Sequence, residues 1–479
     1  MITRRQFLED SMLSAAAAAA ASTAAPVLAE EVKAASAAEA VNVAIIGCGI
    51  RGKQHAQVLG PRQDCNIAYV CDPDLERVGK LIGETEKLQG RAPKGVRDMR
   101  HIFEDRSVDA VFIATCNHWH ALSAIWAMQA GKHAYVEKPV SHNISEGRRI
   151  VQVARKTGLV CQAGTQRRSD GPLTAVVEYL REGKLGEVKL ARSIIYGRRG
   201  SIGGPGKFEL PTTVDYDLWA GPAPMTPLTR PSLHYDWHWF WETGNGEIGN
   251  NNIHTTDVCR WGLGVSGLGR SVLSYGGRLG YVDAADTPNT QVVIHDYGEK
   301  TLVQETRGLK TEPFRQDMTV GSIFYGSEGI IAGTSLFDHD GKLVRTFEGK
   351  GQNHFANFLD AVRSGNPAEL NADILEGHQS TALCHLGNIS YRLGRAASAS
   401  EISRELAALK VHEDVAETFE RTRKHVLDNG VDLEKTPLTL GATLRIQAER
   451  EAFADNDQAN ALLTREYRKP YVVPAENAI

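Results

Sequence analysis

The sequence predicts an α/β fold whose N-terminal half is a doubly wound parallel sheet, and two observations carry that prediction. Short β-branched apolar runs alternate with helix-length segments between residues 41 and 136, a rhythm that calls for crossovers between parallel strands. The first of these runs, 41–46, leads at once into Gly47-Cys48-Gly49-Ile50-Arg51-Gly52 and then a helical stretch. The glycines therefore sit on a strand-to-helix turn.

Ahead of that strand the chain opens Thr3-Arg4-Arg5-Gln6-Phe7-Leu8. It runs through an alanine-rich stretch and reaches Pro26-Val27-Leu28-Ala29 before Glu30-Glu31. This order predicts a twin-arginine export signal over 1–29, cleaved after Ala29, a linker over 30–40, and a periplasmic or otherwise exported mature protein. In the turn that follows, Gly47 permits the tight bend, Gly49 admits close approach of a diphosphate to the backbone, and Gly52 lets helix and strand pack closely. The N–H groups around Ile50 and Arg51 open the helix. The second strand, 67–71, ends in Asp72, an acceptor for ribose hydroxyls that would repel a 2′-phosphate. NAD is the expected cofactor, with NADP possible because Arg77 lies close in sequence. The strand over 108–115 ends at Thr115 and Asn117, and the strand over 133–136 ends at Glu137 and Lys138. Ligands of such sheets bind beyond these carboxyl ends. Residues 41–165 thus read as a dinucleotide-binding Rossmann domain.

The length, 479 residues, allows two domains. A net charge of −4 gives no reason to expect nucleic acid or a membrane surface as partner, and no later stretch is long and apolar enough to span a bilayer. Seven cysteines without a CxxC pair read as small buried hydrophobes. His354, His378 and His385 lack a compact metal spacing, so no metal is expected.

Five motifs occur in order: Thr115-Cys116-Asn117-His118-Trp119-His120, Glu137-Lys138-Pro139, Gly164-Thr165-Gln166-Arg167-Arg168, Gly183-Lys184-Leu185-Gly186-Glu187-Val188, and the run from Gly246 to His254. Together with the glycine turn they resemble the Gfo/Idh/MocA family of glucose–fructose oxidoreductases and inositol dehydrogenases, over roughly residues 41 to 395. The resemblance implies a second α/β domain over 166–395 with a large, mostly antiparallel open sheet, and a homo-oligomer formed through that sheet. It also implies a sugar or polyol substrate, and adds His120 and Gln166 to the cofactor contacts. Unaided, 291–297, 301–306 and 323–325 read as strands, and 354–362 and 374–393 as helices. The tail over 396–479 reads as polar and mostly helical.

Hydride transfer from a secondary alcohol needs a base for the hydroxyl proton and a donor for the developing alkoxide. By the resemblance Lys138 is the donor, with Pro139 a candidate cis proline behind it, and His254 is the general base. Where the family commonly carries an aspartate four residues before this histidine, the chain has Asn250, which cannot carry a proton. Asp257, one helical turn after His254, is the candidate replacement charge. The aromatic segment 234–242 suits a sugar face or packing. Export in folded form implies tightly held cofactor. An NAD-dependent glycoside hydrolase and a non-catalytic sugar-binding protein are the alternatives.

Overall fold

The computed structural model describes residues 40–315 and 317–479; the expected export signal and all but the last residue of the linker lie outside the described residues. The first sheet has six parallel strands: β1 (Val41–Ile46), β2 (Cys65–Cys71), β3 (Lys94–Val96), β4 (Ala110–Ile113), β5 (His133–Val136) and β6 (Cys161–Ala163). Their order is β3-β2-β1-β4-β5-β6, so the sheet reverses direction between β1 and β4. β1 and β4 are apolar on both faces because helices cover both. Ala44, Ile46, Val111 and Ile113 face the helices Asn117–Gln129 and Ile144–Thr157. Val43, Ile45, Ala110 and Phe112 face Ile50–Leu59 and His354–Ser364.

The second sheet has twelve strands. Its core runs β11 (Val320–Gly326), β7 (Val188–Tyr196), β10 (Thr301–Arg307), β9 (Thr290–Asp296) and β8 (Ser271–Gly277). β7 and β10 are parallel; β10–β9, β9–β8 and β11–β7 are antiparallel. The sheet is therefore mixed and mostly antiparallel. Alternate residues divide between two cores, as the pleat requires. Val272, Val293 and Leu302 pack on helices Ile253–Leu263 and Ile374–Arg392. Leu273, Val292, Ile294 and Val303 pack on Ile402, Leu406, Phe419 and Val426. These last four residues belong to helices Ala399–Ala407 and Val415–Asp428, both in the tail.

Two expectations need correction here. The outer sheet face is not open for oligomer contacts along β8–β10, because the chain's own C-terminal helices lie on it. Arg421 seals the cover by donating to the buried Glu305 of β10 at 2.6 and 2.9 Å. The tail is also not a mostly helical extension. Beyond residue 428 it adds β16 (Leu438–Leu440) and β17 (Leu444–Gln447) to β8. It then crosses to the first domain, where Tyr471 packs edge-on against Trp119 at 5.3 Å and donates to Asp217 at 2.7 Å.

Candidate active site

The glycine turn is built as its spacing predicts. A Cβ on Gly47, whose φ is 100°, would lie 2.4 Å from the Ala114 carbonyl oxygen, and one on Gly52 would lie 1.8 Å from that of Gly47. Both are required by the fold itself. A Cβ on Gly49 would meet only the Arg77 guanidinium, at 3.0 Å, so the backbone there faces open space. Helices Leu75–Gln89 and Ile144–Thr157 are capped by Asp74 and Asn143, whereas Ile50–Leu59 starts at Gly49 with no side-chain cap. Its first N–H groups are left for an anion. Ile50 is 63% exposed beside them. A dinucleotide fits this cradle: diphosphate on the uncapped helix, apolar ring surface on Ile50.

The Asp72 carboxylate braces the turn from beneath, accepting N–H bonds from Cys48 at 2.8 Å and Asp74 at 2.9 Å. Burial raises its pKa against these two bonds. Glu137 is nearly buried and accepts from Arg51 Nε at 3.1 Å, with His55 Nε2 at 2.9 Å. Burial alone would raise its pKa; the Arg51 charge and the His55 bond prevail and hold the carboxyl well below the usual range.

Lys138 extends from the end of β5, across a cis bond to Pro139. Its Nζ donates to the Asn250 carbonyl at 2.6 Å, which joins the two domains at this point. Burial pulls its pKa down to about 8, with Glu137 as a partial offset. Asn250 lies in a π-turn, Ile248–Asn252, that runs directly into helix Ile253–Leu263. His254 stands at the start of that helix. Its Nδ1 is buried without a hydrogen-bond partner among the described residues. Burial, then the charges of Lys138 and Arg167, push its pKa well below the ordinary histidine value, so the ring is neutral at physiological pH. Gln166 Oε1, at the crossing between domains, is also buried without a partner. Lys138, Asn250 and His254 thus come together, and a neutral imidazole beside an ammonium can accept a proton while the ammonium donates to oxygen.

Five residues expected in the site from the sequence hold hydrogen-bond partners within the protein. Asp257 is fully buried and accepts from Arg168 at 2.8–3.1 Å and from Ser380 at 2.6 Å, so it is not the charge that replaces the missing aspartate. Asn117 donates to Asn245 Oδ1 at 2.9 Å. The His120 ring nitrogens lie 2.6 Å from the Pro139 carbonyl and 3.1 Å from that of Thr115, tying the Thr115 loop to the Lys138 turn. Glu137 holds Arg51 and His55. Thr115 is half-buried, its hydroxyl donating to the Cys116 carbonyl at 3.2 Å.

Sequence reasoning missed Glu247. It accepts from Arg199 at 2.9 Å and from Asn250 at 3.3 Å, and its charge raises the Lys138 pKa. It places a carboxylate in the site although position 250 is an amide. His238 was missed as well: burial and then, among charges, Lys138 bring its pKa down to about 3. The signal lay in the segment 234–242, where Trp237 and His238 stack at 3.6 Å while Trp239 is buried as packing.

Residues 41–165 match the model of an oxidoreductase family with an NAD-binding Rossmann fold, and 205–425 match that family's C-terminal α/β domain. The second match runs past the boundary expected at 395. The chain is 27% identical to a myo-inositol 2-dehydrogenase of Thermotoga maritima over 152 residues, 32% of this chain and 44% of the other. It is 27% identical to an alpha-N-acetylgalactosaminidase of Shewanella oneidensis over 154 residues, 31% of this chain and 34% of the other. It therefore spans less than half the length of these curated relatives. The WlbA dehydrogenase of Bordetella pertussis, solved with NADH and UDP-GlcNAcA, shares the fold with a TM-score of 0.55 at 20% identity, covering 74% of this chain and 97% of that one. With both domains matched in order, the chain belongs to the Gfo/Idh/MocA family of NAD-binding oxidoreductases.

Proposed function

We propose that the protein oxidises or reduces a secondary hydroxyl of a sugar or polyol, with NAD held tightly through the cycle. The observation that carries this reading is the meeting of Lys138 Nζ with the Asn250 carbonyl at 2.6 Å, one turn before the unpartnered Nδ1 of His254. When bound, NAD supplies the hydride acceptor. Lys138, as the ammonium, donates to the substrate oxygen and stabilises it as the proton leaves. His254, neutral and with a free ring nitrogen, takes that proton. Glu247 and Arg199 hold Asn250, and through it the Lys138 amine, in place. Dehydrogenase and glycosidase relatives alike support a carbohydrate substrate.

The arginine pair at positions 4 and 5 supports export in folded form, which would separate the enzyme from cytoplasmic NAD and favour a cofactor that does not dissociate. The test is mass spectrometry of the protein as isolated from the exported fraction, followed by a sugar and polyol panel read at the nicotinamide absorbance band. Stoichiometric NAD and an absorbance change with one sugar class are expected. A cofactor-free protein with millimolar affinity for NAD overturns the tight-binding reading. The similarity to an alpha-N-acetylgalactosaminidase favours a second reading, redox-neutral glycoside cleavage at the same residues. Release of nitrophenol from a chromogenic glycoside without net absorbance change at the nicotinamide band would select it.

A further inference from the structure

A cavity of about 290 Å³ lies behind the active site, on the far side of Asn245. Neither Lys138 nor Asn250 nor His254 lines it. Four separate parts of the chain wall it: the start of helix Ile144–Thr157, the segment around Trp241, the end of helix Ile374–Arg392, and the tail at 461–465. The volume is at the small end of sites for organic ligands, which begin at about 300 Å³.

Two guanidinium groups line this space, neither with a carboxylate within ion-pair distance among the described residues. Arg392 sits 5.4 Å over the Trp241 ring and has no carboxylate within ion-pair distance among the described residues. Arg465 donates to the Glu242 carbonyl at 2.8 Å and to His142 Nδ1 at 3.2 Å; it has no carboxylate within ion-pair distance among the described residues, though the charges of Glu146 and Glu242 act on it. Because Nδ1 of His142 accepts from a guanidinium, the ring proton sits on Nε2. That Nε2–H is buried with no partner. Glu242, the carboxylate in the wall, is exposed and turned to the Thr226 hydroxyl at 3.1 Å. Trp241 and Ile389 add apolar surface, the partner a sugar ring presents its C–H face to.

We propose that this cavity is a second binding site, for an anionic sugar: a single ring carrying a carboxylate or a phosphate. The anion meets Arg392 and Arg465, and the ring lies against Trp241 and Ile389. The site is separate from the catalytic reading, since an enzyme without Lys138 would still hold this ligand. It also reaches the active site mechanically. Asn245 lines the cavity, donates to the His142 carbonyl at 3.0 Å and accepts from Asn117, so an occupant presses on the segment that carries Asn250.

Isothermal titration calorimetry on the full chain as isolated tests this, with glucuronate, glucose 6-phosphate, glucose and inorganic phosphate as titrants. One of the two anionic sugars is expected to bind at least about tenfold tighter than glucose and than phosphate, a charge-assisted hydrogen bond being worth that much. The tighter of the two identifies the anion as carboxylate or phosphate. Arg392→Gln, at an exposed position where folding is not at stake, is expected to weaken binding by at least about tenfold. Lys138→Met is expected to leave it unchanged. The proposal is overturned if neither anionic sugar gives a saturable isotherm, or if glucose or phosphate alone binds as well. Binding that survives Arg392→Gln but disappears in Lys138→Met also overturns it, since that places the ligand in the active site.

Discussion

Lys138→Met removes the donor that joins the two halves of the site while keeping the length and apolar stem of the side chain. The structure sets the expected size. Nζ is within hydrogen-bond distance of the Asn250 carbonyl and is largely withdrawn from water, so its charge acts on the substrate oxygen with little screening. Loss of a positioned acid–base group costs about 10²- to 10⁴-fold, or roughly 2.7–5.4 kcal/mol in kcat/KM. Single-turnover hydride transfer, followed at the nicotinamide absorbance, reads it directly. The sign of the pH dependence follows from the amine. Its pKa is pulled down to about 8, so the ammonium is present below that value and lost above it. kcat/KM is expected to fall above pH 8 in the parent enzyme, and that limb is expected to vanish in Lys138→Met. For stability the sign is opposite to that of a lysine gaining a partner. The folded chain binds the proton less tightly than the unfolded chain, so stability rises as pH climbs from about 8 toward the ordinary lysine value. The methionine variant, free of that penalty, is expected to unfold at the same temperature or higher. A variant within threefold of parent kcat/KM would refute the assignment of Lys138. A parent profile that rises through pH 8 would instead transfer the base role from His254 to Lys138.

Glu247→Gln takes away a charge that raises the Lys138 pKa, so the alkaline limb of the kcat/KM profile is expected to move below pH 8; an unmoved limb would remove Glu247 from the site. Gly49→Ala meets only the tip of Arg77 and should fold normally while weakening NAD by at least about tenfold, whereas Gly52→Ala strikes the Gly47 carbonyl and should lower the unfolding midpoint; both are read by NAD titration and thermal melts. Asp257→Asn leaves the buried Arg168 with Glu376 as its remaining carboxylate partner, at 3.1 Å, and is expected to cost less than the roughly 3–5 kcal/mol of a fully broken buried pair in denaturant unfolding, without altering the pH profile of turnover. Tyr471→Ala removes a buried ring wedged on Trp119 and should cost about 3–5 kcal/mol, measured the same way.

The first domain was legible because each of its signals is local. A β-branched run, a glycine turn and an acidic strand end specify β1, the diphosphate cradle and Asp72 with no knowledge of distant contacts. Strand-end logic placed Lys138 near a ligand, but its role as donor came from the resemblance. The Asp257 assignment failed for a physical reason. A three-residue offset puts it on the helix near His254, but it cannot say that Arg168, 89 positions earlier, would claim the carboxylate first. Glu247 was hidden by the π-turn at Ile248–Asn252, which breaks the 3.6-residue phase between it and His254. No helical wheel drawn through that stretch places the two correctly.

The covered sheet is the more instructive case, since its signal was present and was overridden by resemblance. An antiparallel sheet with one wet face alternates apolar and polar residues. β8, β9 and β10 do not. Val272 and Leu273 are adjacent, as are Val292, Val293 and Ile294, and Leu302 and Val303, and all are buried. Strands apolar on both faces need a cover on both faces, and the amphipathic helices 399–407 and 415–428 of the same chain supply it. The tail then continues to Tyr471, which packs on Trp119 two residues after Asn117. One segment therefore covers the sheet of the second domain and buttresses the helix that opens the active-site loop of the first. That linkage ties the two halves of the site to Tyr471, more than 200 positions downstream of either Lys138 or Asn250.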